Sequence, residues 1–200
     1  MMISLGHKCA VAMALRKINI IQPSLPFDYI GNYHQHSLWN VYNVLGQLKQ
    51  NTLDIQKFVT VDEDKFNESR FHFSHFYKKG NKHLSLRLDN QEERGETVLE
   101  LFTKRFARLR SKIFYQPNLL IYNYHKNQKE NMDEIIEVGQ NIIEMNPLNY
   151  LLVFQSGKPR QINTNIEFIK GNRSSSIAIK ANLSHYLSQK SEEWKAYYSS

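Results

Sequence analysis

Residues 118 to 154 constrain the fold most. Asn118 to Tyr122 reads as a continuous buried strand, and Met132 to Met145 carries Ile135, Ile136, Val138, Ile142 and Ile143 at helical spacing. Tyr150 to Phe154 is a second apolar run. Strands that do not alternate apolar with polar residues are covered on both faces, as in parallel sheets flanked by helices. Strand, helix and strand in this order predict a parallel crossover unit.

The rest of the chain fits around that unit. Met1 to Leu5 is a short apolar strand that breaks at Gly6, and the run from Cys9 is helical, with Val11, Ala12, Ala14, Leu15 and Ile18 on one stripe. Gln22 to Gly31 is a proline-bounded loop, because Pro23 and Pro26 disfavour helix at the residues before them. Residues 35 to 50 place Leu38, Val41, Tyr42, Leu45 and Leu48 on a second amphipathic helix. From Phe58 to Leu88 the residues become aromatic and β-branched, and Lys79-Gly80-Asn81 breaks them into short strands or a hairpin. Residues 92 to 114 form the longest helical pattern, ended by Pro117. Further strands are expected at Ile166 to Ile169 and Ser176 to Ile179, and a last helix from Leu183 to Tyr198. The expected fold is therefore α/β: a three-layer sandwich with a mostly parallel sheet, flavodoxin-like or Rossmann-like, plus a small β-hairpin insertion. With no repeats, low-complexity tract or linker, residues 1–200 are expected to form one domain.

Cysteine usage narrows the chemistry. Cys9 is the only cysteine, which excludes an intramolecular disulfide and a four-thiolate zinc site. His72 and His75 have the spacing of a metal pair on a helix, but no third and fourth ligands are evident, so no metal is expected. The apolar run from Ala10 to Leu15 is short and flanked by His7-Lys8 and Arg16-Lys17, unlike a secretory signal, and no stretch approaches the ~20 apolar residues of a membrane span. The expected location is the reducing cytoplasm, which suits a free thiol. The net charge of +7 admits anionic partners, but Lys and Arg are dispersed rather than massed in one tract. That speaks against nucleic acid and leaves an anionic surface or an anionic substrate open.

Cys9 follows a strand and a glycine turn and opens a helix, where the macrodipole favours a thiolate. In an open parallel sheet ligands bind beyond the carboxyl ends of the strands, and Cys9 falls at one. A thiol of ordinary pKa needs a base, usually histidine, and often a third group to orient it. The plain alternative is a buried thiol acting as a small hydrophobe. Arg105 and Arg108 lie at i and i+3 on one face of the long helix, where two guanidinium groups would grip a carboxylate or phosphate; the alternative is a solvated basic face completed by Lys104, Arg110 and Lys112. Trp39, Tyr42, Trp194, Tyr197 and Tyr198 could stack on a sugar or base, but their helical spacing places them first in a core or interface.

The chain resembles an uncharacterised family of bacterial and viral proteins labelled papain-like cysteine peptidases. The residues that carry the resemblance are Ser4-Leu5-Gly6, Cys9, Ala12 and Arg16, then Pro26-Phe27-Asp28-Tyr29-Ile30, Phe73-Ser74-His75-Phe76, and Arg105-Phe106-Ala107-Arg108 leading into Leu119-Leu120-Ile121-Tyr122. The family tends to have Ser-Asn before the cysteine and Asp after the histidine, whereas this chain has His7-Lys8 and Phe76. The resemblance implies Cys9 as nucleophile, His75 as its base and Asp28 as the group that orients the imidazole. It implies no cofactor. Gly6 would belong to the backbone cradle for an oxyanion, and Arg105 and Arg108 would hold an anionic part of a small-molecule or peptide acyl substrate. Papain-like folds are not built on parallel doubly wound sheets, so the strand pattern and the family label imply different folds. A nucleophile after the first strand is also similar to esterases and acyltransferases with a flavodoxin-like sheet. A polysaccharide-biosynthesis acetyltransferase family with a Gly-Asn-Cys turn is similar too, and would bring coenzyme A. A non-catalytic basic binding module is the reading from another class. His75 between Phe73 and Phe76 would then be a hydrogen-bonded core residue and Asp28 the closure of a turn.

Overall fold

The computed structural model describes residues 1–6, 10–18, 23–28, 37–59, 76–79, 83–86, 98–124, 131–171 and 176–190. At its centre is a five-stranded sheet made by β1 (Met2–Ser4), β4 (Leu119–Asn123), β5 (Tyr150–Gln155), β6 (Arg160–Asn163) and β7 (Ile166–Lys170). The order across the sheet is β1-β4-β5-β7-β6. The first four strands in that order are parallel, with Met2 opposite Leu119, Leu119 opposite Tyr150 and Leu151 opposite Ile166. Only β6 runs antiparallel, paired to β7 across a register shift between Gln161 and Asn163.

Successive side chains of a strand point to opposite faces, so the apolar runs supply two cores. Leu120, Tyr122, Leu151, Val153, Ile166 and Phe168 face a layer built from α2 (Ser37–Gln50), α4 (Val98–Ile113) and α5 (Met132–Met145), with α3 (Ile55–Val59) packed on α4. Leu119, Ile121, Leu152, Phe154 and Ile169 face the other layer, α1 (Ala10–Lys17) and α6 (Ser176–Ser188). The result is helix, sheet and helix in three layers. Eight residues are too few for a stable isolated helix. α1 is held because Ala10, Val11, Ala12, Ala14 and Leu15 are buried, and a fully buried Val or Leu side chain contributes about 1.5–3 kcal/mol.

The crossover predicted over residues 118 to 154 is present as β4-α5-β5, and its helix has the predicted bounds. Asn131 starts α5 with a capping box: its Oδ1 accepts from Glu134 N at 2.9 Å, and Glu134 Oε2 accepts from Asn131 N at 3.0 Å. β2 (Phe76–Lys79) and β3 (His83–Leu86) pair antiparallel as a separate two-stranded sheet, where a turn was expected at Lys79-Gly80-Asn81.

Three local expectations need correction. Ser176 to Ile179 is the first turn of α6 rather than a strand; apolar residues at 177 and 179 mimic alternation, but burial falls on Ile179, Leu183 and Tyr186, at helical spacing. The last helix accordingly begins at Ser176, seven residues before Leu183, and residues 191–198 of its expected span lie outside the described residues. Phe58, expected at the start of the strand region, lies in the short helix α3. β6 was not anticipated, because Arg160-Gln161-Ile162-Asn163 is almost wholly exposed and has one apolar residue.

The amino edge of the sheet is closed by asparagines. Ile113 O, at the end of α4, accepts from Asn146 Nδ2 at 3.0 Å and Asn149 Nδ2 at 2.9 Å, and Asn118 Nδ2 donates to Asn149 Oδ1 at 2.8 Å. Helix-terminal carbonyls that lack an intrahelical partner are thereby satisfied. The turns after α4 and after α5 are joined in one network.

Candidate active site

The carboxyl end of β1 is where the chain leaves the sheet toward α1. Leu5 N donates to Ile121 O at 2.9 Å, which prolongs the parallel pairing by one residue. Gly6 then takes φ of +92°, a left-handed conformation that favours glycine. Ser4, fully buried, accepts from Gly6 N on its Oγ at 3.4 Å. α1 starts four residues after Gly6, at Ala10. Cys9 and both His72 and His75 lie outside the described residues.

The proline-bounded segment folds back onto this point. Asp28 Oδ2 accepts from Leu25 N at 2.8 Å, and Asp28 N donates to Leu25 O at 3.3 Å, so the aspartate closes its own turn. Phe27 is fully buried; it meets Phe106 of α4 edge-on with ring centres 6.3 Å apart. A Cβ placed on Gly6 would lie 3.9 Å from Phe27 Cβ, so the turn sits directly on the glycine. Two arginines hold Ser24: Arg16 Nη2 donates to its Oγ at 2.9 Å and Arg108 Nη1 to its carbonyl oxygen at 3.1 Å. Arg105 and Arg108 do share a face, as their spacing predicts. Arg105 is buried, with its guanidinium over the Phe102 ring, and Arg108 reaches the turn.

Asp28 is 5% exposed, and its Oδ1 has no hydrogen-bond partner among the described residues. Burial pushes its carboxyl up to about 6 from 3.8; the Leu25 N–H and the positive charges of Arg105 and Arg16 oppose the rise. A carboxyl set in this range, with one oxygen fixed by the turn and one free, can accept a further N–H. The structure thus brings Gly6, Asp28, Arg105 and Arg108 to one end of β1.

Residues 1–155 match the model of the family described as "Putative papain-like cysteine peptidase (DUF1796)". This chain belongs to that family. Comparison with curated proteins and with solved structures gave no match. In this member of the papain-like cysteine peptidase family the matched region ends at the last residue of β5, so it takes in the Gly6 turn, the Asp28 turn and α4.

Sequence reasoning overlooked one residue of the family member's sheet edge. Asn123, the last residue of β4, is 5% exposed, and its Nδ2 has no hydrogen-bond partner among the described residues. The signal was a polar residue closing the apolar run Leu-Leu-Ile-Tyr. Among the described residues no group of three or more His, Cys, Asp or Glu could hold a metal ion. Trp39 is 45% exposed and Tyr42 packs against the core, while Trp194, Tyr197 and Tyr198 lie outside the described residues. No helix among the described residues is long and apolar enough to cross a membrane.

Proposed function

We propose that this protein is an enzyme of the acyl-transfer class with Cys9 as nucleophile, His75 as base and Asp28 as the group that orients the imidazole. The observation that carries the reading is the buried carboxyl of Asp28, whose Oδ1 has no partner among the described residues, in a turn whose Phe27 packs on Gly6, three positions before Cys9. His75 takes the thiol proton, and the sulfur adds to the acyl carbonyl carbon while the C=O electron pair moves onto oxygen. Collapse restores the carbonyl and breaks the bond to the leaving group, which departs with the proton from His75. The thioester left on Cys9 is then cleaved by water or by another acceptor, which regenerates the thiol. Backbone N–H groups between Gly6 and Ala10 hold the oxyanion; that of Gly6, expected among them, is instead given to Ser4 Oγ, so Gly6 serves through its turn. Arg108 braces the Asp28 turn through Ser24 O, and the charge of Arg105 and Arg108 favours an anionic group on a small-molecule or peptide acyl substrate.

The test is the rate of Cys9 alkylation by iodoacetamide against pH, in the intact protein and in His75→Ala. A thiol that titrates well below the ordinary value of about 8.5, and returns toward it in the variant, is expected. A thiol inert at every pH, or one indifferent to His75, overturns the mechanism.

A further inference from the structure

We propose that Asn123 donates its side-chain amide N–H to the carbonyl oxygen of the acyl group bound at the carboxyl end of β1. This rests on the acyl-transfer reading above and adds to it a residue of the site.

Among the described residues the Asn123 side-chain amide is a buried donor without a partner. A buried amide without a hydrogen bond costs about 1–3 kcal/mol and is uncommon in native structures. Other buried amides near strand ends are committed: Gln155 Nε2 donates to Lys158 O at 3.0 Å, Asn118 Nδ2 to Asn149 Oδ1 at 2.8 Å, and Asn149 Nδ2 to Ile113 O at 2.9 Å. Asn123 Nδ2 is not.

Its position gives the donor a use. Ser4 pairs with Ile121, so Asn123 stands two residues further along β4, level with the Gly6 turn on the adjacent strand. Leu119 and Ile121 pack in the core under α1 and α6, and alternation sends Asn123 to the same side. On that side lies α1, whose first residue follows Cys9 directly. Ser4 shares this face, but its hydroxyl is occupied by Gly6 N. Phe154, opposite Asn123 on β5, walls the far side with an apolar ring. A neutral N–H held in such surroundings strengthens as an acyl oxygen gains charge during addition.

Two probes separate this role from a structural one. Acetylation of the protein by 4-nitrophenyl acetate passes through a tetrahedral oxyanion, whereas alkylation by iodoacetamide does not. Asn123→Ala and the near-isosteric Asn123→Leu are expected to acetylate about 100-fold more slowly, to alkylate at the intact rate, and to melt no lower than the intact protein. Unchanged acetylation in both variants overturns the proposal. A parallel loss of acetylation and alkylation also overturns it, since the residue then only shapes the turn. Cys9→Ala distinguishes the underlying reading: if that variant acetylates as fast as the intact protein, the nucleophile assignment itself fails, whatever Asn123 does.

Discussion

Arg108 on α4 donates through Nη1 to the carbonyl oxygen of Ser24, 84 positions earlier in the chain. The bond fixes the proline-bounded turn to α4, which lies in the other helix layer from α1 and its Arg16. Removing it by Arg108→Ala is expected to cost about 1–2 kcal/mol, as for a hydrogen bond with a charged donor. Arg16→Ala, whose bond to Ser24 Oγ is exposed, is expected to cost well under 1 kcal/mol. Urea unfolding of the two variants reads the difference.

Asp28 makes stability depend on pH. Its carboxyl lies at about 6 in the fold against 3.8 in the open chain, so between those values the folded state holds more protons. Stability is therefore expected to fall as pH rises from 4 to above 6, by roughly 3 kcal/mol. Asp28→Asn keeps an acceptor for Leu25 N and removes the charge. Its stability should stay flat across that window while acetylation of Cys9 drops. Denaturant midpoints at pH 4, 5, 6 and 7 test this, and a wild-type curve rising with pH contradicts it.

Two glycines at strand ends should fail for different reasons. Gly6→Ala meets no atom closer than 3.9 Å, so its expected cost of about 1–3 kcal/mol comes from the φ of +92°. Gly171→Ala would bring a Cβ to 2.9 Å from Phe154 Cβ, an atom that cannot move without its backbone. The expected cost is about 1–3 kcal/mol of overpacking. Asn at position 6, which tolerates the left-handed region better than Ala, should recover part of the loss; Asn at 171 should not. Thermal melting of the four variants distinguishes strain from clash.

Alkali should attack the far end of the sheet first. Glu167 Oε2 accepts from Tyr150 Oη at 2.8 Å and from Tyr186 Oη, and lies 3.2 Å from Lys190 Nζ. Burial holds the Tyr150 hydroxyl up at about 12 and that of Tyr186 also well above its ordinary value, with the Glu167 carboxylate adding to both. Above pH 10 the unfolded chain ionises these phenols while the fold keeps them protonated, so stability falls as pH rises. Glu167→Gln should delay the ionisation less, read as an earlier rise in absorbance at 295 nm.

The parallel sheet was legible because nothing else explains two non-alternating apolar runs around a helix. Residues 118 to 154 carry the information locally. β6 was not legible, since its place depends on pairing with β7 and not on its own apolar content. The start of α6 was misread where Ile177 and Ile179 imitate a strand. At the site, Gly6 stood out through turn chemistry, Asp28 through the family resemblance, and Arg105 and Arg108 through spacing. That Arg105 would be buried and Arg108 committed to Ser24 depends on where α4 lies in space, which its sequence does not specify. Asn123 escaped notice for a related reason. An asparagine ending a strand is ordinary until the fold leaves its amide without a partner among the described residues.

The asparagines of the amino edge have a consequence for how this protein can change. Asn118, Asn146 and Asn149 tie the turns on that side to each other, so a substitution there disturbs α4, β4 and β5 together. Ile113 O takes donors from two of the three, so that rim has to vary as a unit rather than one turn at a time.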